Sequence, residues 1–333
     1  MNQRRTLMLA LGAGALTAPF SAPAQQPNVP AGAPGKIWRI GMMGLSSVTA
    51  LSAAFYEGMA ALGYQRGRNV QYEERFQADF SLETFEQHAR ELVGAKVDLI
   101  WAPGTPAAAS AQKATVSMPI VFALIGDPVH SKLIRSFAAP GGNLTGMSLL
   151  LSEMWEKRVE LLHEIFPAAR RIGVLHNPLD ASNAPQLPYM QKAAKVLGKE
   201  LMLVEARKLE DFAAAFAQLK GWRAQALLNA ESTLFLRNRQ ALIDAALQNR
   251  WPTLHSSREY AEAGGTIAYG ADYAENCRSS AYFADRIFKG AKPADLPVQQ
   301  PTKFNFVLNL KAAKALGLTI PYSVLLRADR VIE

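Results

Sequence analysis

Small polar residues that fall just past β-prone runs are the part of this sequence best suited to chemistry. Ser46 and Ser47 follow the run at 36–42, Gly104 and Thr105 follow 97–101, and Asp127 follows 120–124. Further on, Asn177 follows 171–175, Asn229 and Glu231 follow 226–228, and Tyr269 with Asp272 follows 266–269. In open α/β sheets ligands bind beyond the carboxyl ends of strands, where loops converge and helix N-termini leave N–H groups unpaired. Hydroxyls and such N–H groups suit a ligand carboxylate, whereas Asp127 suits a cationic group such as an amine. Ser46, Ser47, Thr105, Asp127, Asn177, Glu231, Tyr269 and Asp272 are therefore the candidate ligand-binding residues for a small polar molecule.

Each of these has a plainer alternative. Thr105 caps a helix that starts at Pro106, whose missing N–H suits a first turn. Asp127, before Pro128, caps a turn, and Glu231 caps the helix that follows it. Tyr269 beside Gly270 reads as a pocket wall, because glycine permits close approach. Trp101, at the end of a buried strand, reads as core before pocket.

Catalytic patterns are sparse. No two of the histidines 88, 130, 163, 176 and 255 share the His-Glu-x-x-His spacing that aims two imidazoles at zinc. The single cysteine, Cys277, excludes an intrachain disulfide framework and a cysteine-rich metal site. Gly-x-Ser-x-Gly is absent, and Gly104-Thr105-Pro106 lacks the lysine and hydroxyl of a phosphate loop. No metal or cofactor is expected. The remaining enzymatic alternative is a hydrolase in which Asp127 and Glu231 face each other as an acid/base pair.

The elements that must position these residues follow from periodicity. Apolar residues at 51, 55, 59 and 62 predict a helix over 50–62 stopped by Gly63, and 82, 85, 89, 92 and 93 predict another over 80–93. Strands at 36–42, 69–73, 97–101 and 120–124 alternate with these and with a helix at 106–114. Such alternation requires a parallel sheet covered on both faces. The rhythm restarts after the breaker cluster Pro140-Gly141-Gly142-Asn143, with a helix at 153–164. Strands follow at 171–175, 201–204, 226–228 and around 253–254, with helices at 184–197, 210–219 and 233–247. The prediction is α/β: two similar, doubly wound parallel-sheet lobes whose polar rims close on one solute. The tail, with a strand at 266–269, a helix at 272–288, a strand at 304–308 and a helix at 311–316, crosses between lobes at least once more. Lobe one is expected at 37–150 plus about 256–290, and lobe two at 151–255 plus about 291–333.

The chain has 333 residues, 36 Lys plus Arg and 28 Asp plus Glu, for a formal charge of +8. The basic residues form no arm or block, so a nucleic-acid partner is not expected. Residues 1–24 carry Arg4-Arg5, an apolar run from Leu7 to Ala18, and Ala22-Pro23-Ala24, the layout of a cleaved secretory signal. Either the general or the twin-arginine route fits Arg4-Arg5. Residues 25–36 read as a tether.

Three runs carry a family resemblance: Gly126-Asp127-Pro128-Val129, Ala139-Pro140-Gly141-Gly142-Asn143-Leu144-Thr145-Gly146, and Gly290-Ala291-Lys292-Pro293-Ala294-Asp295-Leu296-Pro297-Val298. With Gln300-Pro301-Thr302-Lys303-Phe304, the stretch from Asn309 to Pro321, and Ala328-Asp329, they resemble the ABC-transporter substrate-binding proteins, in the branch of the tryptophan- and tyrosine-uptake-like members. The resemblance implies a type I periplasmic binding protein with three crossovers between lobes. It implies a soluble monomer that is not an enzyme and that delivers a small molecule, an amino acid or aromatic acid, to an inner-membrane permease with its ATPase. It further implies that Asp127 and the Ser47 and Thr105 loops line the cleft from lobe one, with Asn177, Glu231 and Tyr269 close by. His130 and His176 stand where the family commonly has a small and an aromatic residue. A periplasmic sensor that presents its ligand to a membrane receptor is the alternative of a different class.

Overall fold

The computed structural model describes residues 36–45, 49–149, 151–152 and 154–333. The signal, most of the tether, Ser46 and Ser47 lie outside the described residues.

The first sheet is built from β1 (Trp38–Leu45), β2 (Val70–Gln77), β3 (Leu99–Pro103), β4 (Ile120–Ile125) and β5 (Leu144–Ser148) in the order β2-β1-β3-β4-β5, with every pair parallel. From Ile40 to Leu45 every residue of β1 is buried, because this inner strand is covered on both faces. The connecting helices are α1 (Thr49–Ala61), α2 (Leu82–Gly94) and α3 (Thr105–Ala114). Ser81 sets the start of α2 by accepting from the Thr84 N–H at 3.2 Å, and Phe85, Ala89 and Leu92 give it a buried face. Near its end β4 bulges, with Leu124 at φ 57, and Asn276 holds the bulge by accepting from the Leu124 N–H at 2.9 Å.

The second lobe begins with α4 (Trp155–Ile165) and continues through β6 (Arg171–His176), α5 (Asn183–Val196), β7 (Glu200–Glu205), α6 (Phe212–Gly221) and β8 (Ala226–Asn229). Where one helix is predicted over 233–247, the chain forms α7 (Thr233–Arg237) and α8 (Arg239–Gln248). They are separated at Asn238, whose side chain donates back to the Leu234 carbonyl at 2.9 Å. Then come β9 (Leu254–His255), α9 (Arg258–Glu262) and β10 (Ile267–Ala271). A parallel bridge between Leu227 and Thr253 joins the β7-β6-β8 strands to the β12-β11-β10-β9 strands.

The chain next forms α10 (Tyr273–Phe288), β11 (Phe304–Asn309), α11 (Leu310–Ala315), α12 (Tyr322–Leu325) and β12 (Arg330–Ile332). α10 packs on the first lobe, where Phe283, Ala284 and Phe288 share one apolar cluster with Phe55, Met59 and Trp101. Gln299 still pairs with Met147 of the first sheet before β11 returns to the second. The three crossovers therefore lie between Leu149 and Trp155, at Asp272, and between Gln299 and Phe304.

This moves the expected boundary: residues 256–271 belong to the second sheet, and 273–299 belong to the first. The physical reason is that β9 and β10 pair in parallel through the short α9 crossover, so the unit stays within one sheet. Because the chain visits the first lobe between β10 and β11, these two strands pair antiparallel within otherwise parallel lobes. Among the described residues no helix is long and apolar enough to cross a membrane.

Candidate functional site

The carboxyl ends of β1, β3 and β4 face those of β6 and β8 across a narrow cleft with about 40 Å³ of free volume. One wall is apolar, formed by Leu45, Leu51, Leu124, Leu149 and Leu151 with Tyr273. The opposite wall carries Asp180, Ser182, Glu231, Ser232 and Thr233. Gly104 and Thr105, at the N-terminus of α3, close the polar end. Gly104, at φ 83, is the N-cap of α3 and offers no side chain, so the helix start keeps its donor character toward the cleft. Thr105 is thus the first helical residue; the capping role considered for it falls to Gly104.

Glu231 is 4% exposed and held from several sides. Tyr260 donates to its Oε1 at 3.0 Å, and Ser256 and Asn229 donate to Oε2. Ser256 also meets the Tyr273 hydroxyl at 2.9 Å. The Glu231 carbonyl accepts from Asn183 at 3.0 Å and Gln186 at 3.1 Å, which pins the β8–α7 loop to the first turns of α5. Burial pushes the Glu231 carboxyl from an ordinary 4.5 up to about 7, against the pull of these donors and of Arg158. Asp180, 2% exposed, accepts from the Ser182 N–H at 3.0 Å and hydroxyl at 2.7 Å. Burial raises its carboxyl to about 6. The cleft therefore holds two desolvated carboxylates that a cationic group would stabilise.

Beneath them lies Arg158, fully buried on α4. Its Nε donates to the Tyr269 carbonyl at 2.8 Å and its Nη1 to the Leu151 carbonyl at 3.3 Å. Nη2 has no protein hydrogen-bond partner among the described residues. His255 Nδ1 donates to Asn229 Oδ1 at 2.6 Å, the ring stacks on Tyr260, and burial holds the imidazole down to about 3, neutral at all ordinary pH.

Of the sequence-predicted residues, Thr105 and Glu231 meet in the cleft. Asp127 does not line it; its carboxylate accepts from the His130 N–H at 2.9 Å and closes a surface turn, the plainer of its two readings. Asn177 is buried behind the wall, where it accepts from the Leu179 N–H at 3.0 Å and shapes the loop that presents Asp180. The Tyr269 ring turns into lobe two, edge-on to Phe306 at 5.9 Å, because alternation along β10 points it away from the cleft. Asp272 caps α10 through the Glu275 N–H at 2.9 Å and accepts from Arg258 and Asn305, facing a separate groove with Gln299 and Lys303.

Asp180, Ser182, Thr233 and the leucine wall escape the sequence reading. Asp180 sits three residues past Asn177 in an Asn-Pro-x-Asp turn, a signal that was there to use. The leucines carry no such mark, since a leucine at a strand end reads as core.

Two facing α/β lobes, three crossovers and a cleft at the strand ends define the fold of the type I periplasmic binding proteins. The chain belongs to the ABC transporter substrate binding protein family, whose profile matches residues 43–332. It is 27% identical over 265 residues to a tyrosine-binding protein of Clostridioides difficile, covering 79% of this chain and 75% of the relative. It is also similar to the crystal structure of a conserved domain protein from Vibrio cholerae, with TM-score 0.84, 29% identity, and 89% of this chain and 100% of the other covered. A Streptococcus pneumoniae ABC domain in complex with L-Trp superposes with TM-score 0.83 at 24% identity, again over 89% and 100% of the two chains.

Proposed function

We propose that this chain is the exported, periplasmic solute-binding component of an ABC importer and that it closes on an amino acid with a large apolar side chain, aromatic ones foremost. The observation that carries this is the pairing of a leucine wall with two buried carboxylates in a single cleft. A free amino acid offers the matching groups. Its ammonium answers Asp180 and Glu231, its carboxylate answers Thr105 and the N-terminus of α3, and its side chain answers the leucines. The tyrosine and L-Trp bound by the relatives support the same class of ligand. The signal-like residues 1–24 support export, and a monomer handing its ligand to a permease fits the family. Binding, rather than bond cleavage, is the activity: the second carboxylate of the hydrolase alternative, Asp127, is occupied in a turn.

Isothermal calorimetry with L-Tyr, L-Trp, L-Phe and L-Leu tests the reading, alongside analogues lacking either the ammonium or the carboxylate. Native mass spectrometry of gently purified protein adds a direct look at any retained ligand. Binding of an aromatic amino acid with loss of affinity for both analogues is expected. Binding of none of the amino acids, or equal binding of the deaminated analogue, overturns it.

A further inference from the structure

α7 belongs to the second lobe by its place in the chain, and Leu234 and Phe235 pack into that lobe's cluster with Phe212 and Leu242. Leu236, the next residue, does the opposite. It is 6% exposed and joins the first lobe's apolar cluster, beside Leu51, Leu149, Leu151 and Tyr273. The same short helix crosses the cleft twice more: Arg237 Nε donates to the Ala78 carbonyl, and Thr233 Oγ1 lies 2.7 Å from where a Cβ on Gly104 would stand. Leu236 also lines the cleft. The other leucines there come from lobe one or from the first crossover, so Leu236 is the apolar wall that arrives with the second lobe.

We infer that Leu236 is the specificity-determining residue of the cleft, setting how large an apolar ligand side chain can be enclosed. This rests on the amino-acid reading above. The ligand side chain and Leu236 fill one socket. A ligand too large keeps Leu236 from seating, and one too small leaves a void whose lining loses its contacts on one side. α7 cannot simply slide to adapt, because the loop before it is pinned through the Glu231 carbonyl and Leu234 and Phe235 are fixed in lobe two.

Calorimetry of Leu236→Ala, Leu236→Val and Leu236→Phe with L-Leu, L-Phe, L-Tyr and L-Trp tests this, with thermal unfolding to establish that each variant is folded. The wild-type ratio of L-Trp to L-Leu affinity should rise about tenfold or more in Leu236→Ala, rise less in Leu236→Val, and fall by a similar factor in Leu236→Phe. Leu236→Val, the smallest truncation, carries the test if Leu236→Ala does not fold. Weakening of all four ligands by one common factor overturns the inference and leaves Leu236 as a closure contact alone. If the wild type binds none of the four, the amino-acid reading itself fails; if it binds and the order does not move, only the role of Leu236 fails.

Discussion

Thr233 Oγ1 stands 2.7 Å from the position a Cβ would occupy on Gly104, so the β3–α3 loop of one lobe and α7 of the other meet this closely only because residue 104 has no side chain. Gly104 also has φ 83, which costs an L-residue about 1–2 kcal/mol. Gly104→Ala should hold the lobes apart. We expect ligand affinity to fall about tenfold or more, by the clash added to the strain. Small-angle scattering should show a larger radius of gyration with ligand present than the wild type has. Thr233→Ala in the same chain removes the clash and should restore part of the affinity; unchanged affinity in Gly104→Ala would show that the two loops part freely.

Glu231 should make the protein less stable as pH rises. Its folded carboxyl titrates near 7 and its unfolded one near 4.5, so between these values the folded state holds the proton that the unfolded state has lost. Stability from this group is full below 4.5 and is lost as pH climbs to about 7, on the order of 3 kcal/mol at one unit per 1.36 kcal/mol. His255 acts oppositely: held near 3, it makes stability rise between there and 6.5. The wild-type curve alone therefore hides both. The difference between Glu231→Gln and wild type in urea unfolding should grow in favour of the variant from pH 4.5 to 7 and then level off. A difference that is flat across this range would place the Glu231 carboxyl at its ordinary value.

An ammonium ligand should expel protons as it binds. Asp180 near 6 and Glu231 near 7 are partly protonated at pH 6, and a cation beside them favours their charged forms. Calorimetry at that pH in buffers of different ionisation enthalpy should show buffer-dependent heats, reporting proton release that fades by about pH 8.5. Heats independent of buffer at both pH values would mean that the ammonium does not meet these carboxylates.

Arg158 fastens two crossovers to each other, since Leu151 lies on the first and the Tyr269 carbonyl is just before the second. Arg158→Met keeps apolar bulk over Trp155 but leaves both carbonyls without their charged donor. A loss of about 2–4 kcal/mol in urea unfolding is expected, the cost of two buried acceptors left unpaired. Arg158→Lys, which reaches one carbonyl at most, should fall between. Wild-type stability in both variants would show that water replaces the guanidinium without cost.

Much of the fold was legible in the sequence because burial imposes a period. The helix read over 80–93 is α2 within two residues, and Trp101, read as core, stacks on Phe55 at 4.7 Å and donates to Ser280 at 2.9 Å. β5 carries no such period, since Leu-Thr-Gly-Met-Ser alternates nothing, and Gly146 is there because a Cβ would strike the Phe122 carbonyl at 2.0 Å. β12 is three residues long, too short to show a period, and is placed by pairing with β11 and by the Arg330–Glu262 ion pair. The site was half legible for a related reason. Strand ends identified Thr105 and Glu231, but which side chain beyond a strand turns inward depends on loop geometry that Asn177, Asn183 and Gln186 impose from other elements.

Asp127 is where the two readings part most sharply, and one substitution separates them. As the partner of a ligand amine, Asp127 would be indispensable, and Asp127→Ala would abolish binding. In the fold its carboxylate instead closes the turn to the His130 N–H at 2.9 Å, on a loop that does not reach the cleft lining. Losing such a cap costs about 1 kcal/mol. Asp127→Ala should therefore lower the unfolding midpoint modestly and leave ligand affinity within about twofold, well below the factor of ten that 1.4 kcal/mol would give. Asp180→Asn, measured in parallel, should weaken an amino-acid ligand by about tenfold or more, since it removes a charge the ammonium meets directly. If the effects come out reversed, with Asp127→Ala losing the ligand and Asp180→Asn keeping it, the amine sits on the lobe-one side and the carboxylate wall of lobe two serves structure alone.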